Sequence, residues 1–291
     1  MTIPADILPL LEQAEAEQMH EFESLVPGQE RTALTMASRR LHGGVCTAVG
    51  SDPDGFWSKA LGFGFATPVT ADLVSDVIAF YAEHRPAVAV LQLAPSVLPA
   101  DWDEIAAEAG FERKAGAVKF AAPVETVLAA GRAAGGSSDL ADGLSVQAVR
   151  PEDAVPWASA VVSGMGMHEN CFLPGSVATV GHPSWRPFGV RDREGRFVAG
   201  GNLRVHGRVA TLFAGSTLPA ARNRGAQGAL IRARALAARE AGCEWLVVET
   251  GPSTPENPNP SYRNMIRHGF EVAYQRPNWV WKPAAIGAGI Q

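Results

Sequence analysis

Hydrophobic and polar positions follow two rhythms along this chain. Across residues 5–22, Ile7, Leu10, Leu11 and Ala14 recur at helical spacing, and Pro27-Gly28 closes the stretch. Apolar runs at 45–49 and 56–65 predict strands. Thr70 stands where it can cap a helix whose stripe is Leu73, Val77, Ile78, Phe80 and Tyr81, running to about residue 84. Residues 88–93 lead to Pro95 as a short apolar run, the pattern of a strand covered on both faces. A helix over 101–109 and a strand over 117–120 follow. The same order then recurs: a strand at 144–149, a helix at 151–162, a hairpin of 188–191 and 197–205 around turn residues 192–195, and a strand at 209–216. An Arg- and Gly-containing turn at 222–228 opens a long Ala-rich helix ending near Gly242. A strand at 245–249, a short helix at 262–268 and a strand at 272–281 complete the chain.

Residues 129–143, AAGRAAGGSSDLADG, have nothing to bury and read as a linker that divides the chain into 1–138 and 139–291. The halves match. Val90-Leu-Gln-Leu-Ala-Pro95 sits opposite Val247-Val-Glu-Thr-Gly-Pro252 at a shift of 157, and Gly110-Phe111-Glu112 opposite Gly269-Phe270-Glu271 at a shift of 159. The fold class is therefore α/β, with α+β character in a mixed sheet, and one unit is used twice. At the same shift, 222–228 faces FATPVTA at 65–71, which has no Arg and no Gly.

Composition narrows the field. The chain has 291 residues, 46% of them hydrophobic, which is ample material for a large core and excludes whole-chain disorder. A net charge of −5 offers no overall positive field for a phosphate backbone, so nucleic acid is not an expected partner. Cys46, Cys171 and Cys243 are odd in number and widely spaced, as free thiols of a reducing cytoplasm would be. The N-terminus lacks the features of a signal peptide and no window is apolar enough to span a membrane, so the expectation is a soluble cytoplasmic protein. His168, Cys171 and His182 match no closed zinc spacing, and no metal site is expected.

The turn at 222–228 carries the chemistry. A helix start presents unpaired N–H groups and a partial positive charge, Gly225 and Gly228 allow close backbone approach, and Arg222 and Arg224 add charge-assisted donors. Together they form a candidate diphosphate site. Neither a P-loop nor a GxGxxG pattern is present there.

Pro219-x-x-Arg222-x-Arg224-Gly225-x-x-x-Ala229-Leu230 resembles the acetyl-CoA-binding loop of the GNAT superfamily of N-acetyltransferases, and the stretch from Asn259 through Tyr262 and Met265 to Gly269-Phe270 resembles a later motif of the same superfamily. The resemblance implies two tandem GNAT-like acyl-CoA N-acyltransferase folds, the first a degenerate copy. It implies acetyl-CoA as co-substrate and a primary amine of a small molecule or peptide as acceptor. Gly215, Ser216 and Thr217 would hydrogen-bond the pantetheine arm through their backbone. Arg222, Asn223, Arg224, Gly225, Ala226, Gln227 and Gly228 would wrap the pyrophosphate, with Asn259 contacting the arm from the other side. Two positions depart from the pattern: Gln227 replaces a Gly or Ala, and Met265 stands where a Tyr commonly protonates the leaving thiolate.

Acyl transfer to an amine favours a base near the acceptor and an acid near the sulfur. Glu249, ending the strand LVVET, is the candidate base, directly or through a water. Tyr262, one turn before Met265 on the same helix face, is the nearest substitute acid. His168 and Glu169 fall where the superfamily shapes its acceptor pocket, whereas Phe172, Trp185 and Phe188 read as core. The alternatives are a non-catalytic acyl-CoA-binding sensor and an enzyme using another acyl group; the oligomeric state is left open, a homodimer included.

Overall fold

The computed structural model describes residues 3–52, 55–133 and 140–283. The first half runs α1 (Leu8–Leu25), α2 (Gly28–Ala33), β1 (Met36–Leu41), β2 (Gly44–Val49), β3 (Lys59–Leu61), α3 (Ala71–His84), β4 (Ala89–Leu91), α4 (Trp102–Glu108), β5 (Glu112–Pro123) and α5 (Val124–Ala133). The second runs β6 (Ser145–Ala148), α6 (Ala154–Met165), α7 (Glu169–Thr179), β7 (Trp185–Arg191), β8 (Phe197–His206), β9 (Val209–Thr217), α8 (Ala226–Glu240), β10 (Trp245–Thr250), α9 (Pro260–Arg267) and β11 (Glu271–Trp281).

Most expected elements form. Thr70 caps α3, its Oγ1 accepting from the Leu73 N–H at 3.2 Å. The start of the expected linker is helical instead: residues 129–133 close α5, which packs on α8, because Val124, Val127 and Leu128 are all buried. The boundary at 138/139 falls outside the described residues, as does the side chain of Cys171. The strand expected over 56–65 is short, and β5 is far longer than 117–120.

All strands among the described residues join one sheet in the order β1-β2-β3-β4-β11-β5-β10-β9-β8-β7-β6. The last strands of the two halves have changed places: β5 pairs with β10, β11 pairs with β4, and β5 and β11 pair with each other at the centre. All three pairings are antiparallel. The repeat is visible in the register, since Ala117 faces Arg276, the residue 159 positions later. A pseudo-twofold axis therefore passes through this pair.

Alternation along the central strands sorts the two faces. Ala121 and Val247 pack under α1, while Phe120, Ala122 and Leu246 pack against α5 and α8. Phe22 of α1 stacks on Trp57 at 5.3 Å and meets Phe213 at 5.1 Å and Trp185 at 6.0 Å. These partners come from opposite wings of the sheet, so the sheet curls around α1. Phe172 and Trp185 are core residues, as their sequence context suggested.

Candidate active site

β9 and β10 pair in parallel only at Val209–Thr211 and Trp245–Val247. Beyond that point the strands part. A bulge marks the opening: Gly200 pairs with Ser216 and Asn202 with Phe213, leaving Ala214 and Gly215 opposite Gly201, with Ala214 at φ 56°. Gly201 has no room for a side chain, since a Cβ would lie 2.8 Å from the buried Arg234 guanidinium.

The Arg/Gly turn lies at this opening. Gly225, at φ 79°, is the N-cap of α8, and no side chain caps that helix. Arg222, Asn223 and Arg224 are exposed; Arg222 donates to the carbonyls of Thr217 (3.2 Å) and Gly164 (3.4 Å). Gln227 Nε2 donates to Thr217 Oγ1 at 2.9 Å, tying the end of β9 to the start of α8. Ser216 Oγ donates to Val161 O at 2.8 Å. Asn259 caps α9: its Oδ1 accepts from Ser261 N, and its Nδ2 donates to Gly251 O at 2.8 Å.

A cavity of about 450 Å³ runs through the opening to the face under α1. Gly215, Gln227, Asn259 and Met265 line its outer part; Glu15, Lys59, Gln92, Lys119, Glu249 and Asn278 line its inner part. Its size suits a small ligand or the reactive end of a larger one.

Arg276 is the hub of the inner part and is fully buried. Its Nη1 donates to both Glu12 oxygens at 2.6 Å, and its Nη2 donates to Glu15 at 2.6 Å, Glu249 at 2.5 Å and Gln92 Oε1 at 3.1 Å. Lys119 bonds Glu15 and lies 3.2 Å from Glu12, and the Tyr274 hydroxyl donates to Glu12. Burial pushes the Glu15 carboxyl up, but Arg276 and Lys119 outweigh it and hold it well below the usual range. Glu249 behaves oppositely: burial and then the Glu15 charge push it above the usual carboxylate value, and Arg276 only partly offsets them.

No family model and no curated protein matches the chain. Solved structures do. It aligns with a GCN5-related N-acetyltransferase from Kribbella flavida over 96% of both chains at TM-score 0.58 and 15% identity. A tandem GNAT protein from the clavulanic acid biosynthesis pathway matches over 98% of both chains at TM-score 0.56 and 15% identity. The fold is that of the tandem GNAT proteins. FemX also matches, over 90% of this chain and 96% of its own, at TM-score 0.55 and 10% identity.

On the tandem GNAT fold, the expected residues divide into three groups. Glu249, Gly215, Gln227 and Asn259 line the cavity. The stretch from Arg222 to Gly225, with Ala226 and Gly228, makes up the helix start around Gln227 without itself lining the cavity, and Ser216 and Thr217 fasten the strand beside it. Tyr262 stands apart: its ring packs edge-on against Phe120 at 4.9 Å and does not line the cavity, which Met265 does. His168 and Glu169, at the start of α7, do not line it either.

Glu12, Glu15, Lys119 and Arg276 were missed by sequence reasoning. One signal was available: Lys119 interrupts the apolar run Ala117–Ala122, and an ionisable residue inside a buried strand demands a partner. Among the described residues, no helix is long and apolar enough to cross a membrane, and no group of three or more His, Cys, Asp or Glu could hold a metal ion.

Proposed function

We propose that the protein is an acyl-CoA-dependent N-acyltransferase, with acetyl-CoA as donor and a primary amine as acceptor. One observation carries this reading: a single cavity runs from Gln227, in the first turn of an uncapped helix preceded by two exposed arginines, to Glu249, a partly buried carboxylate whose pKa is raised. The diphosphate binds at 222–228, and the pantetheine arm enters between β9 and β10 along Gly215, with Asn259 on the other side. The amine nitrogen attacks the thioester carbonyl carbon, its proton passes to Glu249 directly or through a water, and the C–S bond breaks. The thiolate takes its proton from solvent at the mouth, because Tyr262 does not line the cavity. Glu249 suits the task, since a base with a raised pKa lies closer to neutral pH. The buried free thiols Cys46 and Cys243 accord with a reducing cytoplasm.

Thiol release with acetyl-CoA across an amine panel tests this reading, with Glu249→Gln as control. Turnover on at least one amine, lost in the variant while acetyl-CoA binding persists, is expected. Met265 at the cavity wall favours one other reading, an acyl-CoA-binding sensor without catalysis. Binding without turnover on any amine would select it, and turnover only with longer acyl groups would replace acetyl as the donor.

A further inference from the structure

The repeat that relates the two halves also relates the two ends of the inner cavity. The shift of 157 maps Gln92 onto Glu249, and the shift of 159 maps Lys119 onto Asn278. Lys59 faces Val90 across the parallel pair β3/β4, as Thr211 faces Val247 across β9/β10, so Lys59 and Thr211 hold equivalent positions. Arg276, on the axis, binds both Gln92 and Glu249. The protein thus carries one polar corner twice: Thr211, Glu249 and Lys119 in one copy, Lys59, Gln92 and Asn278 in the other.

The chemistry of the two corners differs, because the Lys119 ammonium of the second-half corner is taken up by Glu15 and Glu12. The second-half corner presents a carboxylate. The first-half corner presents amides and an ammonium group. Lys59 is 7% exposed, lines the cavity, and holds its ammonium 3.8 Å over the Phe56 ring. Among the described residues that ammonium makes no hydrogen bond or ion pair. The amide of Gln92 donates to Asn278 Oδ1 at 2.7 Å, which leaves Asn278 Nδ2 without an acceptor among the described residues. A buried cation with no direct ion pair is costly, and burial pushes the Lys59 ammonium towards losing its proton while the more distant charges of Glu249 and Glu15 oppose that. A ligand anion would remove the cost.

We propose that this corner binds a carboxylate of the acceptor, so that the acceptor is an amino acid or a similar zwitterion, its amine beside Glu249 and its carboxylate on Lys59 and Asn278. The inference rests on the acyltransferase reading above. The thioester enters between β9 and β10, on the far side of the axis from Lys59, so the acceptor rather than the acyl group reaches this corner.

The test uses α- and ω-amino acids of increasing length, each paired with its primary amide, in the thiol-release assay. At least one amino acid should exceed its amide in kcat/KM by about 30-fold or more, as expected for a charge-assisted bond in a buried site. Lys59→Met should collapse that ratio to near unity, and Lys59→Arg should keep part of it. Equal loss on acid and amide, a parent preference for uncharged or dicationic amines, or a Lys59 dependence that follows dicarboxylic acyl-CoA donors instead would overturn the proposal. If no amine turns over, the acyltransferase reading fails separately. Calorimetric titration of the same amino acids onto the CoA-loaded protein then decides: binding that weakens at least about tenfold in Lys59→Met supports the corner, and no binding overturns it.

Discussion

At the start of α3, Thr70 supplies the acceptor that the helix's own N–H groups lack, and the space beside it is packed with Phe63, Val69 and Val97. At the equivalent start of α8, Gly225 supplies no side chain, Arg222 and Arg224 stand exposed, and the neighbouring strands open onto a cavity. Unpaired helix N–H groups must find a partner somewhere. In the first half Thr70 satisfies one of them within the chain, whereas in the second no side chain does. The same division recurs at the strand ends. Gln92 and Glu249 both bind Arg276, but only the carboxylate can accept a proton.

Breaking the hub that both halves share should have the largest effect. Arg276→Met leaves Lys119 to pair with Glu12 and Glu15 and removes the ion-pair partner of Glu249, and denaturant unfolding should show a loss of about 3–5 kcal/mol. Glu249→Gln makes the second half resemble the first at this position. It should lower kcat about 100-fold or more with acetyl-CoA affinity within twofold. Because the base must be ionised and burial raises its pKa, the parent rate should climb as pH rises through a value above the ordinary glutamate range; the variant's residual rate should lack that limb. Thr70→Ala removes the first half's internal cap and should cost about 1 kcal/mol in thermal or chemical unfolding, without changing acetyl-CoA affinity. Tyr262→Phe should change turnover less than about twofold, since Tyr262 packs on Phe120 and does not line the cavity; a tenfold drop in kcat would restore it as the acid.

The periodic segments were legible because apolar spacing reports burial directly: α3 with its Thr70 cap, α8 with its turn, and β10 all follow from it. The repeat was legible too, through Gly110-Phe111 and Gly269-Phe270, which close α4 and α9. The exchange of β5 and β11 was not, because each strand keeps its place in the sequence order and only its neighbour changes. Glu12 and Glu15 were obscured by the acidic residues around them in α1. An acid on a helix surface and an acid facing a buried arginine have the same local spacing, and only the partner 261 or more residues away tells them apart. α5 was hidden by the small residues that follow Leu128, which read as linker although the helix start is apolar.

The central claim is that one half alone binds the acyl donor. Calorimetric titration of the full chain with acetyl-CoA tests it most directly, in the parent and in Arg222→Ala/Arg224→Ala. One site per chain is expected, with affinity at least about tenfold weaker in the double variant, as loss of two charge-assisted donors implies. Two sites per chain, or one site indifferent to both arginines, would contradict the account.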